Sequence, residues 1–238
     1  MDMMKAVVMH EFGGPEVLRY EDFPKPVPGP GEVVLAVHAV SVNRTLDLVV
    51  REGKYSAPIK LPHILGVDPS GIIVEVGEGV TGRKVGDRVV TVPWRSKPVG
   101  PLDAVGMQHL GGYAQFVKLP AIGTVPMPDG LGFPEATIVT RHAPQAFNLL
   151  RDRAGLKAGE SVLIMGASGG LGSAGVQVAK LMGAMVIAGA GAPDRVQAAL
   201  DLGADFGVDY RAEDLTARVL ELTGGRGVDV VFENIADP

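Results

Sequence analysis

The chain has 238 residues, a net charge of −5, 46% hydrophobic residues and no cysteine. That length suits one or two domains with a substantial core, and the missing cysteine excludes disulfides, thiolate nucleophiles and cysteine-based zinc sites. The 22 lysines and arginines are scattered among 27 acids, so no basic stripe points to nucleic acid. No apolar run reaches membrane-spanning length and the first residues lack the apolar stretch of a signal peptide, so a cytoplasmic location is expected. Met4 is an alternative start to Met1.

The first 125 residues are valine-rich and punctuated by glycine and proline; segments 5–10, 17–20, 32–42, 71–76, 87–92 and 113–119 read as strands. Between the second and third, Phe23-Pro-Lys-Pro-Val-Pro-Gly-Pro-Gly31 sets prolines at alternate positions, which holds the chain extended and outside a central ladder. Pro126-Met-Pro-Asp-Gly130 and Phe133-Pro-Glu then lead into an apolar helix over 136–150.

From Ser161 onward the pattern alternates. An apolar strand is followed by a helix with Leu171, Gly175, Val178 and Met182 on one face, a strand over 184–188, and a helix over 194–202 ended by Gly203. A strand over 205–208, a helical face of Leu215, Val219 and Leu222, and a strand over 228–232 complete the series. Such alternation predicts parallel βαβ units with right-handed crossovers. Only four of these strands precede Pro238, against about six in a complete dinucleotide fold. The expected class is therefore α/β, with a β-rich domain over 1–125 and a partial, doubly wound parallel domain over 126–238.

The strand-to-helix turn carries the most specific chemistry. Gly166, Gly169 and Gly172 recur every three residues, a spacing that lets the backbone turn tightly, approach a pyrophosphate and pack the helix against its strand. Ser168, Gly170 and Leu171 belong to the same turn, and the phosphates would lie on free helix N–H groups. Gly166-Ala-Ser-Gly-Gly170 spells G-x-S-x-G, but its Ser168 lies in the phosphate turn rather than at a nucleophile elbow, so hydrolysis is unsupported. The five histidines, His10, His38, His63, His109 and His142, show no metal-ligand spacing.

Several motifs in order carry a resemblance along essentially the whole chain: Leu65-Gly-Val-Asp-Pro-Ser-Gly71, Val76-Gly-Glu-Gly-Val80, Val85-Gly-Asp-Arg-Val89, Gly111-Gly-Tyr-Ala114 and the glycine turn. Together they resemble the medium-chain dehydrogenases/reductases, and within them the zinc-free quinone oxidoreductase and enoyl reductase branch. The resemblance implies a GroES-like N-terminal domain, a Rossmann second domain, and a chain truncated at its C-terminus. Zinc-dependent relatives carry a cysteine shortly before an aspartate and a Gly-His-Glu triplet. Here Val42-Asn-Arg-Thr-Leu-Asp47 and Gly66-Val-Asp68 stand in those places.

Without a Lewis acid, a carbonyl oxygen must be polarised by hydrogen-bond donors, which favours conjugated acceptors. The resemblance assigns such donors to Asn43 and Tyr55, and makes Asp47 an organiser of the site. Asn43 and Asp47 are four apart where relatives usually have three, so Arg44 is an alternative occupant of the Asn43 role and could bind an anionic group. The plain alternatives are a turn residue for Asn43, a loop aromatic for Tyr55 and a helix-start acid for Asp47.

The second strand of the series ends in Ala188-Gly-Ala-Gly-Ala192 with no acid for an NAD ribose, leaving room for a 2′-phosphate. By resemblance Arg195 and Tyr210 contact that phosphate, and Asn234 approaches the cofactor. Asp194 is the competing, NAD-selecting candidate, but Pro193 before it marks a first helical turn and makes it a dipole partner. The expected activity is NADPH-dependent, metal-free reduction of a quinone or α,β-unsaturated carbonyl, a small-molecule substrate, with self-association left open. A metal-free alcohol or aldehyde oxidoreductase, and a non-catalytic nucleotide-binding protein or inactive fragment, are the alternatives.

Overall fold

The computed structural model describes residues 2–95 and 102–235, which form two compact units, Met1–Thr140 and Arg141–Pro238. The division falls within a helix, downstream of the expected 125/126 junction.

Among its described residues the first unit holds eight strands: β1 (Met3–Met9), β2 (Leu18–Pro24), β3 (Glu32–Ala39), β4 (His63–Ile64), β5 (Ser70–Val76), β6 (Arg88–Thr91), β7 (Phe116–Pro120) and β8 (Thr124–Pro126). They form antiparallel sheets of order β2-β1-β4 and β7-β3-β5-β6-β8. Val33, Leu35, Ile73, Val89, Val117, Leu119 and Trp94 bury together on the larger sheet. Residues 25–29 of the proline-rich segment join no ladder, as missing N–H donors require. Helix α1 (Arg44–Arg51) follows β3, which stops at Ala39 rather than running to residue 42. Helix α2 (Phe133–Phe147) continues into wider π-type turns through Arg153, so the expected 136–150 helix starts earlier and ends later.

The second unit alternates as the sequence predicts: β9 (Ser161–Met165), α3 (Gly170–Leu181), β10 (Met185–Ala190), α4 (Pro193–Asp201), β11 (Phe206–Asp209), α5 (Leu215–Leu222) and β12 (Val230–Phe232). All pairings are parallel and the order is β11-β10-β9-β12. The chain thus adds strands outward on one side of β9 and then reverses to place β12 on the other. A reversal of this kind opens a ligand crevice at the carboxyl ends of the two strands. Both faces of β9 are buried: Val162 and Ile164 pack with α3 residues, Leu163 and Met165 with Val208 and Val219. A continuous apolar strand, rather than an alternating one, is what a sheet covered on both sides demands.

β12 is anchored to β9 by Asp229, whose Oδ2 accepts the Ser161 hydroxyl at 2.6 Å and its amide at 2.7 Å, while Arg226 donates to Oδ1 at 2.7 Å. These donors, Ser161 first, hold the Asp229 carboxyl down to about 2. The unfolded carboxyl titrates near the ordinary 3.8, so the stabilisation is complete above that pH and is lost as pH falls toward 2. Asp229→Asn is expected to lower the melting temperature by a few degrees at pH 7 and to converge on wild type at the acid end, read by thermal melts across pH.

Candidate functional site

The turn between β9 and α3 is built from main chain. Gly166 sits at φ +62, in the left-handed region, and its carbonyl accepts the Gly169 N–H at 2.9 Å. A Cβ on Gly172 would lie 2.1 Å from that same carbonyl oxygen, so α3 can start this close to β9 only with glycine there. Gly169 is the N-cap of α3 and offers no side chain. The N–H groups of Gly170, Leu171 and Gly172 consequently find no acceptor among the described residues. Gly169 and Gly170 are exposed and Ser168 and Leu171 half-buried. Three free amides at a helix N-terminus, reached through glycines, form a cradle of the kind that suits an anionic group.

Around this cradle, the His142 ring occupies the place where a Cβ on Gly170 would fall, at 2.7 Å. Asn234, just past β12, donates through Nδ2 to the Met165 carbonyl at 3.1 Å, which fixes it beside the end of β9. At the end of β10 no acid is present. Tyr210 follows β11, and its hydroxyl lies 2.8 Å from where a Gly191 Cβ would be. Arg195 stands exposed in the first turn of α4 next to Asp194, also exposed. Asp194 therefore faces the positive end of the α4 dipole.

In the first unit, Asn43 is the N-cap of α1: its Oδ1 accepts the Leu46 N–H at 3.1 Å, and Asp47 Oδ2 reaches back to the Asn43 N–H at 2.9 Å. Asn43 thus stands at a helix start with the Asp47 carboxylate on its main-chain N–H, and Asn43 Nδ2 keeps its donors unused among the described residues. Arg44 projects exposed from the first position of the helix. Tyr55 is half-buried against Val50 and Leu65, and with Phe12, Gly53, Ser56, Ala57, Pro58 and Ile59 it lines a cavity of about 400 Å³.

The structure also shows partners that the residue pattern did not single out. Tyr113 donates its hydroxyl to Asp47 Oδ2 at 2.6 Å and lies 3.2 Å from the Ser41 carbonyl. Ser41 in turn donates its amide and hydroxyl to Asp68 at 2.9 and 2.6 Å. Asp47 and Asp68 are 7% and 2% exposed, so both carboxylates are desolvated. Burial pushes the Asp47 carboxyl above its ordinary range, and repulsion from Asp68 adds to this, while Tyr113 and the Asn43 and Gly66 amides pull it back. Burial and the same two carboxylates push Tyr113 far up, so its phenol stays a donor at any physiological pH. In the sequence Tyr113 appears only within Gly111-Gly-Tyr-Ala114, and Asp68 only within Leu65–Gly71 and in the place of the Gly-His-Glu triplet.

The zinc of zinc-dependent relatives does not fit these residues. Among the described residues no three of His, Asp or Glu gather as a metal site, and the chain has no cysteine. No helix among the described residues is long and apolar enough to cross a membrane.

A β-rich unit together with a parallel sheet that reverses beside a glycine cradle defines a two-domain dinucleotide-binding class. The family described as Alcohol dehydrogenase GroES-like domain matches residues 29–129, and the one described as Zinc-binding dehydrogenase matches 170–238. The Pseudomonas aeruginosa quinone oxidoreductase is 36% identical over 233 residues, 98% of this chain and 67% of its own length. A solved NAD-dependent alcohol dehydrogenase is 40% identical at TM-score 0.90, with 96% of this chain and 70% of that one covered. The Escherichia coli quinone oxidoreductase, solved in complex with NADPH, is 32% identical at TM-score 0.83, with 98% and 67% covered. The chain belongs to the medium-chain dehydrogenases/reductases, in the quinone oxidoreductase branch, with a GroES-like domain and a Rossmann-type sheet.

Proposed function

We propose that the chain is an NADPH-dependent oxidoreductase that reduces quinones or α,β-unsaturated carbonyls without a metal ion. The observation that carries this reading is the cradle of three unsatisfied amides at the start of α3, closed off from any side chain at Gly172. NADPH, when bound, supplies the hydride. The amides of Gly170, Leu171 and Gly172 hold the diphosphate, with the turn glycines Gly166 and Gly169 and the Ser168 hydroxyl beside them. Arg195 and Tyr210 bind the 2′-phosphate, which the acid-free end of β10 leaves room for. Asn234, fixed through Nδ2, keeps its Oδ1 as an acceptor for the coenzyme.

On the substrate side, Asn43 Nδ2 and the Tyr55 hydroxyl donate to the oxygen where charge develops, and Asp47 keeps Asn43 in place. Arg44 binds an anionic substituent where a substrate carries one. Conjugation spreads the developing charge, so two neutral donors suffice where a simple carbonyl would need stronger polarisation. The names of the quinone oxidoreductase relatives support this choice. The similarity to an NAD-dependent alcohol dehydrogenase favours the second reading, a metal-free alcohol or aldehyde oxidoreductase.

The test is coenzyme oxidation, with NADPH and NADH in turn, against a quinone, a small enone, an enoyl thioester and a simple aldehyde. NADPH oxidation by the conjugated acceptors is expected; turnover confined to the aldehyde, or none at all, would overturn the proposal. Arg195→Ala is expected to weaken NADPH binding about tenfold with little change for NADH, since one charge-assisted contact to the 2′-phosphate is lost. Competition titration of the two coenzymes measures it.

A further inference from the structure

We infer that Tyr113 is a positioning residue for Asn43, acting through the Asp47 carboxylate that both of them share. The inference rests on the function proposed above and adds a residue that this function does not itself require. Asp47 Oδ2 accepts two hydrogen bonds at once, from the Tyr113 hydroxyl at 2.6 Å and from the Asn43 N–H at 2.9 Å. The Asn43 amide side chain is then held by its own cap on Leu46, which leaves Nδ2 as the donor with a fixed direction.

Tyr113 is well built for this task. Its amide donates to the Leu65 carbonyl at 2.9 Å, and its carbonyl accepts the Val7 N–H at 2.8 Å, so the main chain is tied on both sides. Its ring packs directly over Gly66, where a Cβ would come within 2.9 Å of Tyr113 Cδ1 and of its amide nitrogen. The hydroxyl therefore arrives at Asp47 from a rigid support.

The groups that face Asp47 are the Tyr113 phenol, the Asn43 and Gly66 amides, and the like charge of Asp68. Asp47 Oδ1 is buried and has no hydrogen-bond partner among the described residues, and of the groups that lower the carboxyl the Gly66 amide acts least. Among the described residues Tyr113 is thus the one side-chain donor that favours the charged form of this desolvated carboxylate. Without it the carboxyl takes up a proton more readily, and a protonated Asp47 is a poorer acceptor for the Asn43 N–H. The Nδ2 donor then loses its fixed direction, and with it the hydrogen bond that matters most in the transition state.

The experiment compares wild type, Tyr113→Phe, Asp47→Asn and the double variant. NADPH oxidation with a quinone is followed across pH, alongside direct titration of aspartate side chains by carbon NMR on carboxyl-labelled protein. Tyr113→Phe is expected to lower kcat about tenfold, the effect of one hydrogen bond to a charged group, with the Kd for NADPH unchanged. The acid limb of its pH profile should move upward by about one unit, and the Asp47 carboxyl resonance should titrate higher by the same amount. In the Asp47→Asn background the further change Tyr113→Phe should cost nothing.

The inference is overturned if the Asp47 resonance titrates as in wild type, or if the two substitutions lower kcat additively. Should the wild-type chain oxidise NADPH with no acceptor, the proposed function fails by itself, and the NMR titration still decides the role of Tyr113. If Tyr113→Phe does not fold, the shift of the Asn43 side-chain amide signals in Asp47→Asn decides it: unchanged signals overturn the coupling.

Discussion

Gly172→Ala is expected to raise the Kd for NADPH roughly 100-fold or more, about 2.7 kcal/mol of binding free energy. The reason lies in which atoms the new methyl group meets. It would come within 2.1 Å of the Gly166 oxygen, 2.8 Å of the Gly166 carbonyl carbon and 2.9 Å of Ala167 Cα. All three are main chain, and no rotamer change relieves the overlap. The start of α3 must therefore move away from the end of β9 by about 1 Å, and misplacement on that scale suffices to cost about 100-fold where several groups must converge. The free amides of Gly170, Leu171 and Gly172 are the groups displaced.

Gly175→Ala separates this effect from simple loss of stability. One turn further on, its methyl would meet the Phe232 ring at 2.8 Å and Ile164 Cδ1 at 3.5 Å, side-chain atoms in the core of the second unit. Overpacking of that kind costs about 1–3 kcal/mol of stability without moving the cradle. Calorimetric titration with NADPH, run beside thermal melts, should show binding lost in Gly172→Ala and retained in Gly175→Ala. Binding within about threefold of wild type in Gly172→Ala would mean that the diphosphate does not rest on this turn.

The parts of the fold that were legible in the sequence are those where residue identity is forced by backbone geometry or by a long period. The glycine turn is one case, because Gly166 at φ +62 and the crowding at Gly172 each exclude a side chain. The second unit is another: four apolar runs separated by helical faces leave few alternatives to a parallel sheet, although the order β11-β10-β9-β12, with β12 returning to the far side of β9, is visible only in the structure. The two-residue β4 and three-residue β8 are too short to show a period. α1 shows in the sequence only through the helix-start alternative for Asp47. Its eight residues make little more than two turns, and the valines before it extend the apparent strand past Ala39.

The candidate site was legible in proportion to how local it is. The cradle occupies one continuous segment, so spacing alone points to it. Asn43 and Asp47 are close enough in the chain to be read as a turn residue and a helix-start acid, though not as the reciprocal cap they form. The bond from Tyr113 to Asp47 spans 66 positions, and no local pattern encodes a pairing at that separation. The same holds for Ser41 and Asp68, 27 positions apart. Those contacts depend on how β3, β4 and β7 come together, which is a property of the sheets.

Tyr55→Phe is expected to lower kcat roughly 100-fold with a quinone or enone while leaving the Kd for NADPH unchanged, the size of effect seen when one donor to a developing oxyanion is removed. The phenyl ring keeps the packing against Val50 and Leu65 and the wall of the cavity shared with Phe12 and Ile59, so the hydroxyl alone is tested. Because this donor set offers no metal site among the described residues, the charge that develops on the substrate oxygen has to be met by hydrogen bonds, and each donor carries a large share. The loss should fall on kcat and kcat/KM together, since a donor that strengthens only as charge builds contributes little to ground-state binding. It should also grow along an acceptor series from quinone to simple enone, where less of the charge is delocalised away from the oxygen. A uniform loss across that series, or a rise in KM alone, would make Tyr55 a packing residue of the cavity wall and leave the polarising role to Asn43.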